Sequence, residues 1–241
     1  MMQKTRGIVI NSFKHGENNL ISRIYTEEFG LLSFIVHGAR KSRSGRKQGI
    51  FQPLNVIEII FPLKNINNLQ NLKEIRLIRT NNNIAFDMTK ASIVMFIAEV
   101  LKACLKEQEK NQELFNFLLN RIDLLEKSKQ KLSSFHLVFL LELSKFLGFY
   151  PRNNFDEYNI KFDLLEGTYQ SGSFKSAYCL SAEESLAFNK LQNTTIKNLN
   201  QLEISSSQRK MLLYKLIDFY RLHIVGFKEL VSPKILEEVL H

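Results

Sequence analysis

The stretch that decides the fold is residues 7–37, which read G-I-V-I-N-S-F-K-H-G-E-N-N-L-I-S-R-I-Y-T-E-E-F-G-L-L-S-F-I-V-H. Runs rich in Ile, Val, Leu and Phe alternate here with turn-type residues, including Gly16 and Gly30. This alternation predicts short strands joined by tight turns. With two similar runs further on, the predicted strands are residues 7–13, 20–26, 31–37, 56–61 and 72–78.

Five short strands in the first 80 residues favour a small closed barrel of the oligonucleotide-binding (OB) type, in which five strands form one sheet. An SH3-like barrel or half of a sandwich would give a similar pattern. Beyond residue 80, apolar residues recur at spacings of three and four, which is typical of amphipathic helices. The predicted helices are residues 84–105, 114–125, 132–147 and 205–224, with two more beginning at Ser181 and Ser232.

Residues 150–180 lack helical periodicity and are rich in Pro, Asn, Asp, Gly and aromatic residues, which predicts an irregular or hairpin insertion. The sequence therefore indicates an α+β protein. Its predicted parts are an N-terminal five-stranded OB-type β-barrel, residues 1–80, and a mostly α-helical domain, residues 81–241, that carries the insertion.

Positive charge is concentrated in the predicted barrel. The chain has a net charge of +9, and residues 1–80 hold 13 Lys or Arg against 5 Asp or Glu. The rest of the chain holds 20 against 19. This asymmetry indicates a basic module that binds a polyanion, joined to a nearly neutral one.

The densest basic segment lies between the third and fourth predicted strands. Residues 38–47 read G-A-R-K-S-R-S-G-R-K and contain no acidic residue. Cations on a loop neutralise phosphates and release counterions, which favours nucleic acid of any sequence. The alternative is a solubilising surface loop. The candidate DNA-binding residues of this basic segment are Arg40, Lys41, Arg43, Arg46 and Lys47.

Further side chains of the predicted strands would extend this surface. Nucleic-acid-binding barrels combine cations along the backbone with aromatic rings that stack on bases. Tyr25 and Phe29 are the aromatic candidates because both fall near turns, although rings in short strands belong more often to the core. The additional basic candidates are Lys4, Arg6, Lys14 and Arg23.

Several other classes of protein lack their motifs in this chain. Cys104 and Cys179 are too few for a four-cysteine zinc site and predict reduced thiols in a cytoplasmic protein. No apolar run reaches the roughly 18 residues of a membrane span, and the first residues lack the apolar core of a signal peptide. The glycines at 38 and 45 are wrongly spaced for the phosphate loop of NTPases. The five histidines lack metal-ligand spacing, so no metal site is expected.

Two other functions remain open from the residues alone. An RNA- or ribosome-associated protein would use the same barrel, since RNA and DNA are both phosphate polymers. A metal-dependent nuclease would hold magnesium with carboxylates, but no residue beside the acids of the insertion would activate a nucleophile. Those acids are Asp156, Glu157, Asp163 and Glu166. The first hypothesis is therefore a DNA-binding protein that is not an enzyme.

Short motifs in the first 60 residues point to one family. They are R-G-I-V-I-N-S at 6–12, G-E-N-N-L at 16–20, T-E-E-F-G-L at 26–31, H-G-A-R-K-S at 37–42 and F-Q-P-L at 51–54. A helix that ends in L-G-F-Y-P at 147–151 continues the pattern. Together these motifs resemble the RecO family of bacterial recombination mediators, and the likeness in layout spans the whole chain.

The resemblance implies a DNA repair protein of the RecFOR pathway that binds single- and double-stranded DNA and anneals complementary strands. With RecR, and with or without RecF, it would help to load RecA onto DNA covered by single-strand-binding protein. The setting would be cytoplasmic and nucleoid-associated, with no membrane partner. The family's basic loop carries over to Arg40, Lys41 and Arg43 as phosphate contacts.

The resemblance also implies that the acidic, apolar C-terminal tail of single-strand-binding protein docks on the helical domain. The candidate partner-binding residues there are Arg121, Arg152, Arg209 and Lys210.

The chain departs from this family in two places. Many members hold zinc with four cysteines in the insertion, whereas residues 152–180 contain Cys179 alone, so neither zinc nor another cofactor is expected. The usual Asp after the G-E-x motif is Asn19 here. An aromatic cluster is the predicted replacement for the metal, formed by Phe155, Tyr158, Phe162, Tyr169 and Phe174.

Overall fold

The computed structural model describes residues 1–39, 49–79, 82–106 and 108–240. They form two compact units, Met1–Ser128 and Lys129–His241. The first unit contains one sheet and several helices, and the second contains a hairpin and the remaining helices. None of the helices in the described ranges has the length and hydropathy needed to cross a bilayer.

One curled sheet organises the first unit. Its strand order is β5-β3-β2-β1-β4-β6, and all pairs are antiparallel except β3 with β5. The prediction of an OB-type barrel followed by a mostly helical region is confirmed, with six strands in place of five. The strands are β1 (Met2–His15), β2 (Asn19–Thr26), β3 (Gly30–Val36), β4 (Val56–Pro62), β5 (Gln70–Asn71) and β6 (Glu74–Leu77).

The long first strand curls the sheet because its two halves pair with different neighbours. The first half of β1 pairs with β4, from Met2 opposite Pro62 to Ile8 opposite Val56. The second half pairs with β2 as far as His15. The register with β2 shifts between Val9 and Asn11, and such a bulge bends a strand and increases its twist.

The predicted fifth strand, residues 72–78, corresponds to β6 at one edge of the sheet. The short strand β5, which the prediction missed, comes just before it and runs parallel to β3 at the other edge, and the Leu72 amide donates to Ile35 O at 3.2 Å. The Lys73 amide then donates to Ile60 O at 3.0 Å, and β6 pairs with β4. The chain thus crosses from one edge to the other within two residues and bridges the opening of the half-barrel.

The barrel core follows from alternation along the strands. Its central residues are at most 1% exposed, and those of β3 and β4 are two positions apart along each strand. At Gly7 the strands approach so closely that an added Cβ would lie 2.4 Å from Ile24 Cγ2, which only glycine avoids. The core residues are Val9, Ile24, Leu32, Phe34, Ile57, Ile59 and Phe61.

After the sheet, the described part of the first unit contains the helices α1 (Asn82–Phe86), α2 (Met88–Cys104) and α3 (Gln112–Lys127). The side chains of Asp87 and Asn111 cap α2 and α3 by accepting from the amides of Lys90 and Leu114. Lys90 is 5% exposed and donates its ammonium to the carbonyls of Glu126 and Ser128 at 2.9 and 2.8 Å. This contact ties the start of α2 to the end of α3.

The end of the β-rich sequence and the boundary between the two compact units lie at different residues. The last strand of the sheet ends at Leu77, whereas the first compact unit continues to Ser128. The difference arises because α3 packs on the sheet, where Phe115 stacks against Tyr25 with ring centroids 6.4 Å apart.

The second unit is built around a buried helix. Its elements are α4 (Phe135–Phe146), β7 (Asn159–Asp163), β8 (Thr168–Ser171), α5 (Ala182–Gln192), a 3-10 helix (Ile196–Gln201), α6 (Ser206–His223) and α7 (Ser232–Leu240). The helix α4 is apolar on nearly every side, and nine of its residues are buried. Gly148 follows it with φ of +84°, the left-handed conformation that commonly ends a helix. The Tyr220 hydroxyl donates to Leu140 O at 2.7 Å and joins α6 to this helix.

The insertion is a hairpin held by aromatic rings, and the predicted cluster is partly wrong. Phe162 and Tyr169 pack edge to face at 5.0 Å, and Phe155 lies 5.2 Å from Tyr169. Phe188 of α5, which the prediction missed, stacks on Phe162 at 4.3 Å. Two predicted members lie outside the core because they flank the strands: Tyr158, before β7, is 79% exposed, and Phe174, after β8, is 37% exposed.

Candidate nucleic-acid interface

The described residues on either side of the basic segment pack at one place in the barrel. Residues 40–48, which include Arg40, Lys41, Arg43, Arg46 and Lys47, lie outside the described residues. On either side of them, Ala39 and Phe51 are 1% and 3% exposed and pack in one cluster with Leu20 and Val36. The amide of Gly38 donates to Asn19 Oδ1 at 3.2 Å, and Ser12 Oγ donates to Phe51 O at 3.2 Å.

These contacts define where the residues that flank the basic segment lie on the barrel. Both flanks lie beside the turn between β1 and β2, at one end of the barrel. In an OB barrel, that turn and the outer face of the second and third strands form the usual groove for oligonucleotides.

Two of the predicted phosphate contacts pair with acids instead. Lys4 Nζ lies 3.1 Å from Glu58 Oε1 on the neighbouring strand. Arg6 binds Glu27 through two bonds, Nε to Oε2 at 2.7 Å and Nη2 to Oε1 at 2.5 Å. Such a bidentate pair is stronger than a neutral hydrogen bond. Both charges are therefore satisfied within the protein.

The Arg6 pair also anchors a helix. The guanidinium carbon lies 5.5 Å from the centre of the Phe115 ring, and Gln112 Nε2 donates to Glu27 Oε1 at 2.9 Å. The hydrogen bond from Arg6 holds the pKa of Glu27 below its ordinary value of 4.5 and raises the pKa of Arg6. Both partners are thus held in their charged forms, and together they attach α3 to the sheet.

Both aromatic candidates pack against other rings, Tyr25 as a buried residue and Phe29 as a partly buried one. Tyr25 is 3% exposed against Phe115, and burial raises the pKa of its hydroxyl to about 12. Phe29 packs edge to face on the core residue Phe61 at 5.9 Å. A ring buried in this way cannot stack on a base without leaving the core.

The cations near the β1–β2 turn are in a different situation. Lys14 is exposed and Arg23 is half-buried, and neither pairs with a carboxylate within the part of the chain that the structure describes. Beside them stands Phe13, which is 48% exposed and opposite Ile21 of β2. The sequence reasoning missed Phe13.

The bulge in β1 explains this omission. Strict alternation from the core residue Val9 would turn Phe13 inward. The bulge adds one residue after Val9, so that Asn11 and Phe13 move to the outer face with Arg23. The glycine signal that marks many bulges is absent, because the sequence here is V-I-N-S-F.

Comparison with known proteins identifies the family. A model described as "Recombination protein O N terminal" matches residues 1–81, and one described as "Recombination protein O C terminal" matches residues 85–230. The chain belongs to the recombination protein O (RecO) family. Proteins named DNA repair protein RecO from Flavobacterium johnsoniae and Flavobacterium psychrophilum are 38% and 36% identical to it, with 99% of both chains covered in each case. The protein of that name from Phocaeicola vulgatus is 34% identical over the same share.

Membership of the RecO family supports a role in DNA repair and recombination. The break between the two family models, residues 82–84, falls where the β-rich sequence ends. It does not fall at the division between the compact units, because the C-terminal model also covers the helices that pack on the barrel.

The four basic candidates for partner binding are distributed over both units. Arg121 lies on α3 with its guanidinium 5.0 Å from the centre of the Phe117 ring. Lys210 is ion-paired with Glu237, and Arg209 Nη1 donates to Ile204 O at 3.1 Å. Arg152 is exposed, and its amide donates to Gly167 O at 2.8 Å.

Two of the acids of the insertion, Asp156 and Asp163, accept hydrogen bonds from backbone amides of its turns. Asp156 accepts from the amides of Asn159 and Tyr158, and these bonds lower its pKa. Asp163 is 1% exposed. Burial alone would raise its pKa, but donors that include the amides of Glu166 and Leu165 outweigh burial and lower it. Within the described ranges, no group of three His, Cys, Asp or Glu side chains is arranged to hold a metal.

The insertion does not supply the ligands of the zinc site that many RecO proteins have. Cys179 is its one thiol, and Sγ donates to Asp163 Oδ2 at 3.4 Å. Burial, followed by this carboxylate, raises the pKa of Cys179, which disfavours the thiolate that zinc requires. Four thiolates cannot be assembled here. The expectation that the chain needs no cofactor stays a prediction.

Proposed function

We propose that this RecO-family chain is a DNA-binding recombination mediator that is not an enzyme. It binds single- and double-stranded DNA, anneals complementary single strands, and with RecR helps to load RecA onto DNA covered by single-strand-binding protein. The observation that supports this proposal is the arrangement of cations at one end of the barrel. The basic segment is rooted there beside Lys14 and Arg23, which have no carboxylate partner within the described residues.

The proposed mechanism is electrostatic. Lys and Arg at this end neutralise the phosphates of one strand and release its counterions. Neutralisation lowers the repulsion between two strands while the base edges stay available for pairing. Annealing of this kind requires neither a nucleophile nor a metal, which fits the local roles of Asp156 and Asp163 in the insertion.

The proposed partners follow from the family. The acidic, apolar tail of single-strand-binding protein would dock on the helical region, where Arg152 and Lys210 are the exposed cations among the four candidates. Arg121, Arg209 and Lys210 remain candidates, although each already contacts other groups of the chain. RecF would join in organisms that use it.

The test is annealing of complementary oligonucleotides covered by single-strand-binding protein, with and without this chain. We expect the chain to accelerate annealing, and the triple change R40A/K41A/R43A to abolish most of the acceleration. A single-strand-binding protein that lacks its C-terminal tail separates partner docking from DNA handling. Failure of the wild-type chain to accelerate annealing of bare and covered strands alike would contradict the proposal, as would tighter binding of matched RNA than of DNA.

A further inference from the structure

Phe13 belongs to an ordered row of side chains on the outer face of the sheet. Residues directly opposite each other on neighbouring strands share a face. Phe13 of β1 is opposite Ile21 of β2, and Ile21 is opposite Ile35 of β3. Phe13 is 48% exposed and the two isoleucines are half-buried, so the row presents a ring flanked by aliphatic side chains.

The next row on the same face carries a cation. Asn11 of β1 is opposite Arg23 of β2, and Arg23 is opposite Ser33 of β3. The row after that is closed, because Tyr25 lies under Phe115. The open part of the face is therefore two rows deep, one apolar and one with a guanidinium, and it ends at the β1–β2 turn.

The charge of this face is positive. Residues 11–26 contain Lys14 and Arg23, and Glu17 in the turn is their one acid. No acid occurs in β3. Arg23 lies on this face, and the exposed Lys14 follows Phe13 at the end of β1 beside the turn. An exposed ring with one cation on its face and a second at its edge complements a ligand that is flat, aromatic and anionic.

We propose that Phe13, with Ile21 and Ile35, is the platform on which one unpaired base of a single strand stacks, and that Arg23 and Lys14 contact the flanking phosphates. This inference rests on the proposed function and deepens it. A duplex does not fit the platform, because its base faces are already covered by their neighbours. The platform therefore gives a preference for single strands, which the electrostatic contacts alone do not provide.

A tryptophan at position 13 tests the platform directly. The chain contains no tryptophan, so Phe13→Trp introduces one fluorophore at the proposed stacking position. We expect an oligo(dT) to quench its fluorescence and an abasic oligonucleotide of the same length to leave it unchanged. The matched control is Phe86→Trp, which places the fluorophore on α1 at a site that is 91% exposed. The control should not respond to either ligand.

Affinity gives a second, independent readout. Base–aromatic stacking is worth about tenfold to a hundredfold in affinity for each base. Phe13→Ala should weaken oligo(dT) binding by a factor in that range with an unchanged salt dependence, since no phosphate contact is lost. Binding of the abasic strand should not change. The side chain is half-exposed, so the melting temperature of the variant should stay close to that of the wild type.

The outcomes separate this inference from the proposed function. A wild-type chain that fails to bind any single strand overturns both. Normal binding with no quenching at position 13 and no loss in Phe13→Ala overturns the platform alone. Quenching by a protein partner instead of the oligonucleotide would assign this face to a protein interface and would also overturn the platform.

Discussion

The cations at the two halves of β1 differ in whether they form ion pairs with carboxylates of the chain. In the first half, Lys4 and Arg6 face carboxylates of the neighbouring strand and of the β2–β3 turn, at 3.1 and 2.5 Å. In the second half and opposite it on β2, Lys14 and Arg23 have no carboxylate within the described residues. The sequence alone made all four equal candidates for phosphate contacts. Whether a cation is already paired within the fold decides whether its charge is available to a ligand.

The largest expected effect on DNA binding comes from changing the two cations without a carboxylate partner in the described residues. Charge reversal in K14E/R23E should weaken binding of a single strand about tenfold or more at low salt, because two contacts are lost and two repulsions are added. Unfolding should change little, since neither side chain holds an ion pair. The measurement is fluorescence polarisation of a labelled oligo(dT) together with thermal unfolding.

A matched control fixes the contribution of net charge. K102E/K131E changes the formal charge by the same amount at two exposed lysines that lie outside the strands of the sheet. An equal loss of affinity in both double variants would show that overall charge, rather than this end of the barrel, governs binding.

A smaller effect is expected when Arg6, in the first half of β1, is changed, and it is a loss of stability. Arg6→Ala leaves Glu27 with Gln112 as its remaining side-chain partner. We expect a loss of about 1 kcal/mol in the free energy of unfolding, below the range for a buried charged bond because Arg6 is partly exposed. The salt dependence of DNA binding should not change. Urea unfolding at neutral pH measures the first quantity.

The pH dependence of stability tests whether the Arg6–Glu27 pair is the cause of the stability loss in Arg6→Ala. The pKa of Glu27 is lower in the folded chain than its ordinary value of 4.5. Its contribution is therefore fully present above about pH 4.5 and is lost as the pH falls through the folded pKa. The stability difference between wild type and Arg6→Ala should shrink over this acid range. A difference that stays constant down to pH 3 would assign the loss to packing against Phe115.

Local features of the fold were predictable from the sequence. The strands were predicted from alternation and turn residues. Ser181 and Glu184 have the spacing of a capping box, and both of its hydrogen bonds are present. The end of α4 followed from Gly148, whose φ is +84°. Each depends on residues a few positions apart, where local geometry limits the choices.

The features that decide the site depend on residues far apart in sequence. The bond between Arg6 and Glu27 joins positions 21 apart, and Tyr25 is buried by a helix 90 residues further along. The bulge after Val9 reverses the faces of Asn11 and Phe13 without a glycine to mark it. Sequence pattern therefore located the basic end of the barrel, but could not sort its side chains into exposed, paired and buried ones.

The salt dependence of single-strand binding tests the central claim most directly. It compares the wild-type chain, the R40A/K41A/R43A variant of the basic segment and Lys4→Ala from the paired half of β1. Each lost phosphate contact should reduce the slope of log affinity against log salt by about 0.7, so the triple variant should be shallower by about 2 while Lys4→Ala matches the wild type. Equal slopes for the wild type and the triple variant would contradict the account.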